Sequence, residues 1–223
     1  MTSPPENERF AAISSGDFHT CALREDGTTA CWGDNELGQA APPEGEHFVK
    51  ISSGAAHTCG LREDGKVLCW GEFEGRPAPV DGGNTKESNA SRAPSTGVTS
   101  PFDETDITDI SSGTLITCAL HSNGAVFCSG GLLPPNETER FSAISSSRIY
   151  VCGLRLDGTP VCWGLDEGLG RTSPPEGEHF AKISSSVSHA CALREDGTAV
   201  CWGGEEQGGT PSPPLGERFT AIT

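Results

Sequence analysis

Ten cysteines stand in five pairs with one spacing: Cys21 with Cys31, Cys59 with Cys69, Cys118 with Cys128, Cys152 with Cys162, and Cys191 with Cys201. Two chemistries compete for them, metal ligation and cross-linking. A zinc site would take His19 with Cys21 and Cys31 on one strand face, but a fourth ligand is missing. The histidine is also replaced by Ile116 and Tyr150 in copies that keep both cysteines. No metal and no cofactor is therefore expected.

Cross-linking follows from the turn between the cysteines. In "CALREDGTTACWG" (21–33) the Asp26-Gly27 step marks a hairpin, because glycine accepts the positive φ such turns demand. A two-residue loop would set Cys21 opposite Trp32. A three-residue loop, Glu25-Asp26-Gly27, with Gly27 left-handed, sets Leu23 opposite Thr29, Ala22 opposite Ala30 and Cys21 opposite Cys31. Only that register brings the sulfurs together, across Cα atoms about 4.5 Å apart. Each pair is read as a cross-strand disulfide, contributing roughly 2–3 kcal/mol for so short a loop.

Other reactive groups recur with the repeat, whereas catalysis needs one constellation. Ser14-Ser15 and its copies are read as small stem residues that let sheets approach closely. His19, His57 and His189 occupy one repeat position and are read as buried hydrogen-bonding groups beside the stem. "DNELG" and "DEGLG" carry oxygen ligands without the density of a calcium loop. No Gly-rich phosphate loop precedes a helix. The chain is read as not an enzyme.

The elements that position these residues are themselves repeated. The stem reads "PPENERFAAISSG" (4–16), "PPEGEHFVKISSG" (42–54), "PPNETERFSAISSS" (134–147) and "PPEGEHFAKISSS" (174–186). Equivalent positions fall at Phe10, Phe48, Ile107, Phe141, Phe180 and Phe219, a unit of about 39 residues. Each unit holds a stem strand and two hairpin strands. Ala11 and Ile13, with Val49, Ile51, Ala181 and Ile183, are expected to face inward, and the residue between them outward. Di-prolines end the pairing before each stem, and no helix-period segment appears. Three-strand units of this length, several times repeated, predict an all-β fold, a β-propeller of about five repeat blades.

One domain is expected over 1–223, with repeats at about 4–41, 42–103, 104–133, 134–172 and 173–211 and a terminal stem strand at 212–223. Residues 72–105, rich in Gly, Ser, Thr and Pro, are read as a long flexible insertion. Five hairpins but six stems leave two arrangements open. Either the last stem closes a five-bladed ring, or the blades are part of a larger, seven-bladed one.

"ISSGDFHTCALREDGTTACWGDNELGQ" (13–39) resembles the repeat of the regulator of chromosome condensation family in its bacterial, cysteine-paired form. The stem "ISSG", the "HTCAL" strand, the "DG" turn, "CWG" and the "NxxGQ" tail carry the resemblance. It covers the whole chain apart from the insertion, and the third and fourth units depart most, with Ser129 in place of Trp. The resemblance implies a propeller, usually seven-bladed. Its family includes a chromatin-bound nucleotide-exchange factor and a secreted protein inhibitor of β-lactamases.

Charge narrows the partner. A formal net charge of −16 argues against nucleic acid, which is held by Lys and Arg, and against an anionic membrane surface. No stretch approaches the roughly 20 apolar residues of a membrane span. Paired cysteines point to an oxidising compartment, extracellular or cell-surface. No signal peptide opens the sequence, so a mature or excised part of an exported protein is expected.

Between stem and hairpin the units stop agreeing: Asp17-Phe18, Ala55-Ala56, Thr114-Leu115, Arg148-Ile149 and Val187-Ser188. Loops on a rigid scaffold are where recognition resides. Phe18, Leu115, Ile149 and Tyr150 are candidate apolar anchors. The reading is a protein-binding propeller acting through one rim. The alternatives are a carbohydrate-binding propeller, with Trp32, Trp70, Trp163 and Trp202 stacking on sugars, and a structural module of a larger surface protein.

Overall fold

The computed structural model describes residues 4–6, 8–73, 76–77, 98–99, 105–129, 132–204, 212–214 and 216–222. They divide into two compact units, Met1–Leu115 and Ile116–Thr223. The strands form five antiparallel sheets. No helix among the described residues is long and apolar enough to cross a membrane.

Unit 1 opens with β1 (Ala12–Ser15), β2 (His19–Leu23) and β3 (Thr29–Gly33), paired in that order. The next sheet is β4 (Lys50–Ser53), β5 (His57–Leu61) and β6 (Val67–Phe73). Two short strands, β7 (Arg76–Pro77) and β8 (Val98–Thr99), both pair with β6. They lie within the stretch read as an insertion, most of which lies outside the described residues. β9 (Ile107–Ser112), the stem of the third blade, ends unit 1.

Unit 2 begins with that blade's hairpin, β10 (Thr117–His121) and β11 (Val126–Cys128). It continues with two complete sheets: β12 (Phe141–Ser146), β13 (Tyr150–Arg155) and β14 (Pro160–Gly164), then β15 (Lys182–Ser185), β16 (His189–Leu193) and β17 (Ala199–Gly203).

The hairpin register is the one the turn chemistry demands. Leu23 faces Thr29, Ala22 faces Ala30 and Cys21 faces Cys31. The Arg24 N–H donates to Thr28 O and the Gly27 N–H to Arg24 O, with Gly27 at φ +84°. The Asp26 carboxylate accepts from the Thr28 hydroxyl and N–H, which holds it below the usual carboxylate range. The same register sets Cys59 opposite Cys69, Cys118 opposite Cys128, Cys152 opposite Cys162 and Cys191 opposite Cys201. All five pairs are disulfides, as the spacing predicts, with Cα atoms 4.0–4.1 Å apart. No cysteine is free.

Stacking of one blade on the next builds the core within each unit. In unit 1, Cys21 and Leu23 pack against Phe48, Ile51 and Trp70 of the following blade. In unit 2, Cys118, Leu120 and Val126 meet Phe141, Ile144 and Trp163, and the pattern recurs with Cys152, Cys162 and Leu154 against Phe180 and Trp202. Cys69 is wholly buried, whereas Cys201, in the last hairpin, is half-buried. The disulfides are thus part of the apolar filling as well as staples. Phe10, Phe48, Phe141 and Phe180 each lie beside the Trp of their own blade, as in Phe48–Trp70 at 5.6 Å. Burying one such Phe contributes about 1.5–3 kcal/mol. Gly60 and Gly153 make room for it: a Cβ on Gly60 would stand 2.4 Å from the Phe48 ring.

The inward reading of the stem is only half met. Ile51 is 5% exposed but Ile13 is 65% exposed; Ala11, Val49 and Ala181 are exposed too, and Ile183 is half-buried. Alternation along a strand separates two faces, but a preceding blade must cover one of them. Ile51 packs against Cys21 and Leu23 of the preceding blade, whereas Ile13 has no such cover among the described residues of unit 1.

Stem serines stitch blades through their hydroxyls. The Ser53 N–H donates to Ser14 Oγ (2.8 Å), the Ser112 N–H to Ser52 Oγ (2.8 Å) and the Ser185 N–H to Ser145 Oγ (2.8 Å). At Gly16 a Cβ would fall 2.0 Å from Gly54 O, which explains the glycine of "ISSG". The described residues of the last stem form no strand. In the other blades each stem strand pairs with the first strand of its own hairpin, as β1 does with β2. The Phe219 N–H still donates to Gly197 O, as the Phe48 N–H does to Gly27 O.

Candidate binding rim

The divergent pairs sit where each stem turns into its hairpin, at the end of the blade away from the Asp-Gly turns. Three of them are tied to the segment after their blade's Trp-Gly: the Asp34 N–H donates to Phe18 O, the Glu72 N–H to Ala56 O and the Leu165 N–H to Ile149 O. The rim is therefore a set of paired loops on rigid strands.

In unit 1, Phe18 is 71% exposed beside exposed Asp17, and Leu115 is exposed beside half-buried Thr114. Ala55 and Ala56 are half-buried. Beneath this rim, His19 Nε2 meets Thr58 Oγ1 of the next blade at 2.7 Å. The Thr58 hydroxyl donates to Gln39 O (3.2 Å), so it accepts from the imidazole N–H. His19 Nδ1 has no partner among the described residues. Burial lowers the His19 pKa, against the opposing pull of Asp34 and Asp17. His57 is pushed down to about 4, chiefly by burial and secondarily by His19. His19 and His57 are thus buried parts of the blade packing, as the repeat position predicts, whereas His189 in unit 2 is half-buried.

In unit 2 the rim becomes concave. Arg148, Ile149, Val187 and Ser188, the divergent pairs of two successive blades, line one pocket of ≈ 370 Å³. Glu167, Leu169 and Arg171 complete it. Arg171 stands five residues after Asp166, as Gln39 stands five after Asp34. Its side chain is almost wholly buried. Nη1 donates to Val187 O (2.9 Å), and Nη2 donates to Asp166 O (2.9 Å) and Glu167 Oε2 (2.8 Å). The guanidinium lies over the Tyr150 ring, 5.6 Å from its centroid. The Asp166 carboxylate turns inward to the Thr172 and Gly170 N–H groups, which keep its pKa low. Asp34 is engaged in a similar way, accepting from Gln39 Nε2 (2.9 Å).

Tyr150 is no surface anchor. It is 0% exposed, and its hydroxyl reaches Ser186 O (2.9 Å) and His189 O (2.7 Å) across the blade boundary. Burial raises its pKa to about 12, so it stays a donor. No motif in the sequence marks Arg171 or Glu167. The usable signal was Arg171 in the place of Gln39. Trp70, Trp163 and Trp202 are buried beside the stem phenylalanines, and Trp32, beside Phe10, is half-buried.

Three segments, residues 10–39, 48–74 and 180–208, match the regulator of chromosome condensation (RCC1) repeat. The chain thus carries RCC1 repeats in three places. Solved structures similar to it include the CRINKLY WD40 ectodomain of the receptor kinase ACR4 from Arabidopsis thaliana, at 26% identity and TM-score 0.67, covering 89% of this chain and 70% of that one. The ectodomain of the receptor kinase CR4 from Physcomitrella patens is 23% identical with TM-score 0.67, covering 89% and 51%. Prp20p from Saccharomyces cerevisiae is 18% identical with TM-score 0.69, covering 90% and 58%. The chain thus spans about half the length of the moss and yeast proteins. No curated protein matches it. Its fold is the RCC1-like β-propeller, with five disulfides that suit an oxidising environment.

Proposed function

We propose that this RCC1-repeat chain is a non-enzymatic, exported scaffold that binds a partner protein through the rim of stem–hairpin loops. One observation carries the reading. Where the five repeats disagree, large apolar side chains stand exposed, and in unit 2 two such pairs converge on a single pocket. Apolar anchors beside a charged, half-enclosed site are the anatomy of a protein contact. The yeast neighbour Prp20p, described with its binding to Gsp1p and histones, supports the protein class of partner without naming this one. A sugar-binding ring of tryptophans gains no support from indoles buried against phenylalanine.

The test compares the chain with an Ile149→Asp, Val187→Asp variant. Each is immobilised with its disulfides intact and exposed to the extracellular proteins of its source, and bound protein is identified by mass spectrometry. A stoichiometric partner held by the native chain and lost by the variant is expected. Equal capture by both, or repeated weak binding across a glycan array instead, would overturn the reading.

A further inference from the structure

The pocket of unit 2 breaks the repeat at several positions together. Arg171 replaces the Gln39 of the first blade, Tyr150 replaces His19, and Leu165 is an added residue after the Trp-Gly pair. Glu167 is the one non-glycine residue with a positive φ among the described residues, at +52°. These departures meet at a single guanidinium. Arg171 is 2% exposed, yet the carboxylate that neutralises it belongs to a side chain 62% exposed. Its other acceptors are carbonyl oxygens, those of Asp166 and Val187. The pocket therefore already holds a carboxylate, supplied by its own rim from a backbone conformation that Glu rarely adopts.

Arg148, exposed on the lining, makes no ion pair among the described residues. The lining thus carries two guanidinium groups against one carboxylate, with Ile149 and Val187 as apolar walls. The chain's net charge of −16 does not decide the matter locally. At physiological salt, charges beyond about 8 Å are largely screened.

Building on the protein-binding reading above, we propose that this pocket takes an acidic side chain of the partner protein, flanked by aliphatic residues. Arg148 is its first contact. Glu167 is an intramolecular stand-in that the partner's carboxylate displaces from Arg171.

The test titrates the whole chain, disulfides intact, with three capped peptides: acetyl-Leu-Glu-Leu-amide and its Gln and Lys counterparts. Amide shifts are followed at residues 148–149, 167–171 and 187–188. The Glu peptide alone is expected to bind. Arg148→Ala should weaken it roughly tenfold. Glu167→Gln, which removes the competitor, should tighten it roughly two- to fivefold. Both changes are on exposed side chains, and melting curves verify that the fold is kept. Equal binding of the Gln peptide, loss of affinity in Glu167→Gln, or binding by none of the three overturns the inference. Preferred binding of the Lys peptide, lost in Glu167→Gln, overturns it in favour of a basic partner. Partner capture that depends on Ile149 and Val187 but shows no carboxylate preference removes this inference and leaves the rim reading standing.

Discussion

Acidification from about pH 7.5 to about pH 4.5 should weaken unit 1 through His57, and the size of the loss can be worked from its burial. His57 is 2% exposed, with a pKa pushed down to about 4 by desolvation and, less, by His19. In the unfolded chain it titrates near 6.5. Above 6.5 the imidazole is neutral in both states and its contribution is fully present. Between 6.5 and 4 the unfolded chain binds a proton that the folded chain refuses, so stability falls with pH. Below 4 both states are protonated and the loss levels off. The gap from 6.5 to about 4, at about 1.4 kcal/mol per pH unit, comes to about 3 kcal/mol. His19 shifts in the same direction, again because burial disfavours its charged form, with Asp34 and Asp17 opposing. Carboxylates with lowered pKa, such as Asp26, lose their contribution as pH falls from the ordinary carboxylate value through the lowered one, further toward acid. The assay is urea unfolding followed by tryptophan fluorescence at several pH values, for the native chain and His57→Gln. The variant should lose stability at neutral pH but show a clearly flatter dependence between pH 6.5 and 4.5. An unchanged slope would refute the assignment of acid sensitivity to this buried imidazole.

Three further outcomes follow from the packing. Gly54→Ala places a Cβ 2.4 Å from Gly113 O and 2.3 Å from His57 Cε1, and should cost about 1–3 kcal/mol in thermal unfolding. Ser52→Ala removes the acceptor of the Ser112 N–H; a loss of about 1–3 kcal/mol is expected, measured by denaturant midpoint, and no loss would deny the stitching role. Intact mass after alkylation should show no labelled cysteine before reduction and ten after it, in keeping with five disulfides and no free thiol.

Much of the blade is local, and for that reason legible in the residues. The partner of Cys21 lies ten positions away, and the turn chemistry of Glu25-Asp26-Gly27 sets every pairing between them. Repetition supplied the rest: with five copies as internal controls, the positions where they diverge stood out as the rim, and the structure places those at the loop ends of the strands. Fold class followed from the same repeats, since one three-strand unit cannot bury both faces.

What passes between blades lay beyond reach of the chain order. Ser14 and Ser53 are 39 positions apart. Period-two alternation says that stem residues have two faces, not which is covered, so Ile13 and Ile51 read alike and are buried differently. Tyr150 looked like an anchor because it is large and varies between units, yet a neighbouring blade's carbonyl oxygens draw its hydroxyl inside. Arg171 showed only as a substitution for glutamine. It becomes a site when the start of β13, the loop after β14 and the turn before β16 bring Tyr150, Glu167 and Val187 around one charge, because a buried guanidinium must find its acceptors wherever the fold has placed them.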